Sequence, residues 1–136
     1  MTEITVESEA KMLEQGASLV RAFSRGDVVL FEGDLGVGKT TLIRGMMLGL
    51  GWNEPVRSPT FNLFAVYPTE PPVLHADFYR ITDTLGTGME DYLDSHLCLV
   101  EWPNAMFRLI DLNTAKRIRI TFEGDGRRIQ LSNISL

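Results

Sequence analysis

The chain has 136 residues, with 13 Lys and Arg against 18 Asp and Glu, two His and a single Cys. At this length one domain with an unstapled core is expected, because a chain of this size buries about two-thirds of the surface it exposes when unfolded. The formal charge of −5 counts against broad nucleic-acid binding, the 44% apolar fraction excludes a disordered chain, and a lone Cys98 excludes a disulfide scaffold.

The N-terminal stretch MTEITVESEAK is acidic where a secretory signal is basic and then apolar. The longest uncharged stretch, Ser58 to Thr69, has 12 residues and two prolines, too short to span a bilayer. One cytoplasmic domain over residues 1–136 is therefore expected. Three small basic clusters, Arg127-Arg128, Lys116-Arg117-Arg119 and Arg21/Arg25, read as solvated charge on a sheet edge or helix face.

From Ser8 to Ser24 the apolar residues Met12, Leu13, Leu19, Val20 and Phe23 recur at helical spacing, with Ser8 as N-cap and Lys11 where a capping-box Glu would sit. Arg25-Gly26-Asp27 breaks this helix. Val28 to Phe31 is a continuous run of β formers, the pattern of a strand covered on both faces. A glycine-rich loop follows, and Lys39 to Leu50 reads as a helix ended by Gly49 and Gly51. Further strands are predicted at Phe61–Tyr67, Val73–Phe78 and Leu97–Glu101, with a short helix near Met89–Leu93. Beyond Pro103 the chain reads as a helix and then a hairpin, Lys116–Phe122 and Arg127–Leu131 alternating around Glu123-Gly124-Asp125-Gly126. The early β-α-β pattern and the late antiparallel one together predict an α/β fold: a mixed sheet flanked by helices, with a C-terminal antiparallel hairpin.

Gly33-Asp34-Leu35-Gly36-Val37-Gly38-Lys39-Thr40 fits G-x-x-x-x-G-K-[ST] at every fixed position, between the apolar strand and a helix. That placement is what the chemistry needs: successive backbone N–H groups at a helix N-terminus bind phosphate, and the helix dipole adds positive potential. Lys39 then reaches the β- and γ-phosphates and the Thr40 hydroxyl ligates Mg²⁺, with Thr41 placed to touch the α-phosphate. Residues Gly36, Val37, Gly38, Lys39, Thr40 and Thr41 are accordingly the candidate nucleotide-binding set. A loop of this kind needs a carboxylate at the end of a neighbouring strand, and two segments have that shape. One is Val73–Asp77 and the other Leu97–Glu101, the second being the cleaner buried strand. His75 lies two residues before Asp77, on the same strand face, where a role in orienting its neighbours suits it better than metal binding. Trp102 either stacks on a base or partner or packs at the strand end. Cys98 and the Met46-Met47 pair read as core.

In series, the P-loop, Ser58-Pro59-Thr60-Phe61, His75-Ala76-Asp77-Phe78-Tyr79-Arg80 and Val100-Glu101-Trp102-Pro103 resemble the bacterial TsaE (YjeE) family over residues 8 to 103. The family is the ATPase component of tRNA threonylcarbamoyladenosine biosynthesis. The resemblance implies ATP and Mg²⁺ as ligands, Lys39 as a phosphate-binding catalytic residue, and Asp77 and Glu101 as the essential acids. Glu101 would lie near the metal with Thr40, and Asp77 would orient water or metal. Ser58 to Phe61 would form a switch-like loop near the γ-phosphate, with Thr60 reporting the nucleotide, and Trp102 would complete the site. Partners would be TsaB and TsaD, which modify adenosine 37 of ANN-decoding tRNAs, so tRNA would be met only indirectly. Where the family often has Thr in its first helix, this chain has Ser8-Glu9-Ala10 and Gln15-Gly16, and no nucleotide contact is assigned there.

Two other classes compete: a P-loop kinase for a small metabolite and a nucleotide-sensing module without turnover. The 33 residues beyond Pro103 leave little room for the Arg-rich lid of a kinase, and the acids at 77 and 101 count against a sensor. Residues 33–41 hold no arginine and Arg44 is one helical turn past Thr40, while Arg57 and Arg80 adjoin the switch and acid segments, where either could serve in cis. Hydrolysis by the isolated chain is therefore expected to be slow and to rise with a partner surface.

Overall fold

The helical and strand periods of the sequence resolve into one mixed sheet with its helices on one face. The computed structural model describes residues 2–56 and 63–136. In chain order its elements are β1 (Thr2–Val6), α1 (Glu9–Leu19), β2 (Val28–Glu32), α2 (Lys39–Gly49), β3 (Phe64–Tyr67), β4 (Val73–Asp77), β5 (Leu97–Glu101), β6 (Lys116–Glu123) and β7 (Gly126–Ser132). Short 3₁₀ turns occupy Val20–Ala22, Met89–Tyr92 and Pro103–Arg108. The seven strands are ordered β1-β7-β6-β2-β5-β4-β3. Strands β6, β2, β5 and β4 run parallel in the centre, while β3, β7 and β1 pair antiparallel towards the edges.

The buried face of each helix explains its sequence. Met12 and Leu19 of α1 and Leu42, Ile43, Met46 and Met47 of α2 pack with Val29, Phe31, Leu99, Ile118 and Ile120 from the sheet. The helices meet through glycine: a Cβ on Gly45 would stand 2.3 Å from the Leu13 carbonyl oxygen. The opposite face, with Leu30, Leu74, Ala76, Cys98 and Val100, is covered by irregular chain and 3₁₀ turns carrying Phe78, Met89, Ala105 and Met106. Both faces of β5 are thus covered, which is why Leu97 to Val100 reads as an unbroken apolar run.

Several elements differ from the sequence reading. The first helix ends at Leu19 and tightens into the 3₁₀ turn, because Phe23 turns extended and the Ser24 N–H is taken by the Asp27 carboxylate at 2.8 Å. Ser8 does cap it, accepting from the Lys11 N–H at 3.2 Å. The helix expected after Pro103 is only the turn Pro103–Arg108, and the Asp111 carboxylate ends that stretch by accepting from the Asn113 N–H. β1 was not foreseen. It pairs with β7, Ile4 opposite Ile129, and its β-branched run Ile4-Thr5-Val6 carried the signal. β3 begins at Phe64, and Ser58 to Phe61 lie outside the described residues. Among the described residues no helix is long and apolar enough to cross a membrane.

Candidate functional site

The strand register brings the two acids together. In the parallel pair β4/β5, Asp77 stands opposite Glu101, and in β2/β5, Phe31 stands opposite Glu101. Both acids therefore lie at the C-terminal ends of parallel strands, beside the loop that leaves β2. That edge is where open α/β sheets form their ligand crevice. The loop reaches α2 through Gly38, at φ +114, a conformation that strains any residue with a Cβ. Gly38 accepts the Leu42 N–H at 2.9 Å and so opens the helix, while the N–H groups of its first turn have no partner one turn back. This concentrates positive potential at Lys39, Thr40 and Thr41.

Thr40 and Glu101 come into direct contact. The Thr40 hydroxyl lies 3.0 Å from Glu101 Oε1 and 3.1 Å from Oε2, and Glu101 is only 3% exposed. A hydroxyl and a carboxylate at this separation are hard oxygen donors, and their number suits an ion such as Mg²⁺ that keeps water and shares phosphate oxygens. Among the described residues no three His, Cys, Asp or Glu gather as a metal cage, and neither His75 nor His96 belongs to one. Asp77 accepts the Tyr79 N–H at 3.0 Å, which fixes the turn leaving β4. The Phe78 N–H donates to the Glu101 carbonyl at 3.1 Å.

Lys39 is 4% exposed, its ammonium donating to the Gly33 carbonyl at 2.5 Å. The same nitrogen lies 3.4 Å from the centre of the Trp102 ring, a close cation–π contact. Burial pushes its pKa below the ordinary 10.5, and the nearby carboxylates of Glu101, Asp77 and Asp34 oppose that fall. Trp102 takes φ 54, an uncommon backbone for a residue of its size, and its ring also meets Tyr79 at 4.8 Å between centroids. At the end of β5 the Trp102 ring thus packs between Lys39 and Tyr79. Lys39, Thr40, Asp77, Glu101 and Trp102 together line a cavity of about 230 Å³.

A second cavity of about 280 Å³ lies on the other side of the loop, lined by Ser8, Glu9, Met12, Val37, Thr41 and Arg127 among others. Although no ligand contact is expected of the first helix from the sequence, its N-terminus borders this space beside Gly36, Val37 and Gly38. Arg127, expected as solvated charge, is instead half-buried. Its Nε donates to the Val37 carbonyl at 2.9 Å, and its guanidinium lies 4.5 Å from the Phe122 ring centre. It ties the hairpin to the glycine loop. The other basic residues there are also engaged: Arg117 and Arg119 pair with Glu32, Lys116 with Asp27 and Arg128 with Glu123. Arg44 pairs with Glu9 at 3.3 Å. Arg57 and the Ser58 to Phe61 segment fall outside the described residues, so no contact is assigned to Thr60.

Residues 6–130 match the family model described as "Threonylcarbamoyl adenosine biosynthesis protein TsaE". The chain is 37% identical over 115 residues to a protein of Nostoc sp. called tRNA threonylcarbamoyladenosine biosynthesis protein TsaE, covering 78% of this chain and 70% of that one. Proteins of the same description from Streptomyces coelicolor and Bacillus subtilis are 41% and 43% identical, over 67% and 63% of this chain. The matched stretches cover 66% and 57% of those two relatives. Among solved structures, the crystal structure of Bacillus subtilis YdiB superposes with a TM-score of 0.80 at 30% identity, over 98% of this chain and 86% of that one.

Proposed function

The chain belongs to the TsaE family, and on that premise we propose that it serves tRNA threonylcarbamoyladenosine biosynthesis as a Mg²⁺-dependent ATPase. In this reading residues 1–136 act as one cytoplasmic domain, working with TsaB and TsaD and meeting tRNA only through them. The observation that carries the reading is the Thr40–Glu101 contact at 3.0 Å, made where the glycine loop opens α2 and the parallel strands end. Against a small-metabolite kinase, the described residues after β5 form a 3₁₀ turn and a hairpin rather than an Arg-rich lid.

The roles follow from position. The first-turn amides of α2, with those of Gly36, Val37 and Gly38, would cradle the phosphates, and the nucleoside would lie towards Ser8, Met12 and Arg127. Lys39 would leave the Gly33 carbonyl for the β- and γ-oxygens, keeping its charge within reach of Trp102. Thr40 and Glu101 would hold Mg²⁺, whose chemistry there is to neutralise charge on the β- and γ-phosphates. Asp77, directly opposite Glu101 on the neighbouring strand, would orient the attacking water. No arginine lies in the loop and Arg44 is paired with Glu9, so any arginine that this chain itself brings to the transferring phosphoryl would be Arg57 or Arg80. A partner arginine is worth ~10³–10⁵ in rate in related chemistry, so turnover should be slow alone and rise with TsaB–TsaD. The test is phosphate release at saturating ATP while TsaB–TsaD is titrated. A flat titration, or fast turnover by the lone protein, overturns the partner's role.

A further inference from the structure

Glu101 is held from two sides, and only one of them belongs to the glycine loop. On the other side the His75 ring nitrogen Nε2 stands 2.6 Å from Glu101 Oε2. We propose that His75 is a positioning residue, whose Nε2–H fixes the Glu101 carboxylate in the orientation that meets Thr40. The proposal rests on the Mg²⁺-site reading above and names a residue which that reading leaves out.

The register explains how the ring reaches the acid. His75 pairs with Leu99 across β4/β5, and Glu101 is two residues further along β5 on the same face. A same-face diagonal neighbour is within reach of a ring side chain. The ring itself cannot wander. His75 is fully buried, flanked by Ala65 of β3 on one side and Leu99 of β5 on the other.

A carboxylate accepts and does not donate, so in this contact Nε2 carries a proton. Nδ1 is buried with no hydrogen-bond partner among the described residues. A buried polar nitrogen without a partner costs stability, and a leucine would fill the same space without that cost. The polar contact that can account for a histidine here is therefore the one to Glu101. With Oε2 held by His75, the carboxylate loses rotation about its last bond and keeps Oε1 on the Thr40 hydroxyl. Partners that orient a metal-binding carboxylate in this way commonly matter 10–100-fold in metal affinity.

The experiment measures binding of the non-hydrolysable triphosphate AMP-PNP by calorimetry, first in EDTA and then with Mg²⁺ titrated in. Three variants separate orientation from packing. His75→Leu fills the space without a donor. His75→Gln places an amide N–H near the Nε2 position, and His75→Asn places it near Nδ1, too far back to reach Glu101. The expected result is unchanged affinity in EDTA, within about twofold, for all three. The Mg²⁺ concentration giving half of the affinity gain should rise at least about tenfold in His75→Leu and His75→Asn, and should stay within about threefold of the parent in His75→Gln. His75→Asn keeps a buried polar residue, so the Asn–Gln comparison stands even where His75→Leu does not fold. An equal Mg²⁺ response in parent and variants, or a Gln variant no better than Asn, overturns the positioning role while leaving the metal site intact. A parent that fails to bind AMP-PNP, or gains nothing from Mg²⁺, overturns the site reading, and the His75 role falls with it.

Discussion

Gly45→Ala puts the packing that carries the site to a test in which two effects have opposite signs. In an isolated helix the change is favourable, since alanine has the higher helix propensity by about 1 kcal/mol. In this protein the added Cβ would lie 2.3 Å from the Leu13 carbonyl oxygen and 2.9 Å from the Leu13 Cα and carbonyl carbon. An ordinary contact begins at 3.4 Å, so the helices must part by up to about 1 Å, and every atom in the way is backbone with no rotamer to yield. Overpacking a tight core costs about 1–3 kcal/mol, and a backbone obstacle belongs at the upper end. The net expectation is a loss of about 1–2 kcal/mol, read as a lower urea midpoint with an unchanged slope and a Tm lower by about 2–8 °C. Because α2 begins at Lys39 and α1 borders the neighbouring cavity, AMP-PNP binding should weaken in the same variant. A Gly45→Ala protein more stable than its parent would refute the reasoning, because propensity alone would then be acting.

Lys39→Ala should weaken AMP-PNP binding about 10–100-fold, the worth of a charge-assisted contact to phosphate, and calorimetry reads it directly. Burial lowers the Lys39 pKa, so the ammonium is present below that lowered value and is lost as pH rises through it. Triphosphate affinity should fall on the alkaline side before pH 10.5, and the Lys39→Ala profile should lack that fall; matching profiles would remove Lys39 from phosphate binding. Glu101→Ala should bind AMP-PNP in EDTA as the parent does but gain nothing from Mg²⁺, whereas Asp77→Ala should lose turnover with a smaller change in the metal response. Parental hydrolysis rates in both would mean the metal site is misplaced. Burial pushes the Cys98 thiol up to about 12, so at pH 8 a disulfide reagent should modify it only at the rate at which the fold opens. Rapid stoichiometric labelling of the native protein would contradict the buried β5.

The sequence by itself determined the local pieces whose physics is local. The unbroken run Leu97 to Val100 specified a strand covered on both faces, and β5 spans Leu97–Glu101 as predicted. Gly33 to Thr40 specified a glycine loop at a helix start, because glycine is free to take positive φ, and Gly38 does so at φ +114 where α2 opens. The hairpin at Gly124-Asp125 was equally legible from its alternation and its glycine turn. Only tertiary structure decided which residues meet across long separations. That Glu101 contacts Thr40 and His75 depends on the register of β4 and β5 beside the loop, and a slip of one residue along either strand would turn His75 or Glu101 to the other face. The Trp102 ring beside Lys39 depends on a backbone at φ 54, which local propensity disfavours. Arg127 was misread because its charge marks a surface residue in sequence, while the acceptor that draws it inward, the Val37 carbonyl, lies 90 residues away. β1 combines both: Ile4-Thr5-Val6 is a short local β signal, and its pairing with the open edge of β7 is what makes it a strand.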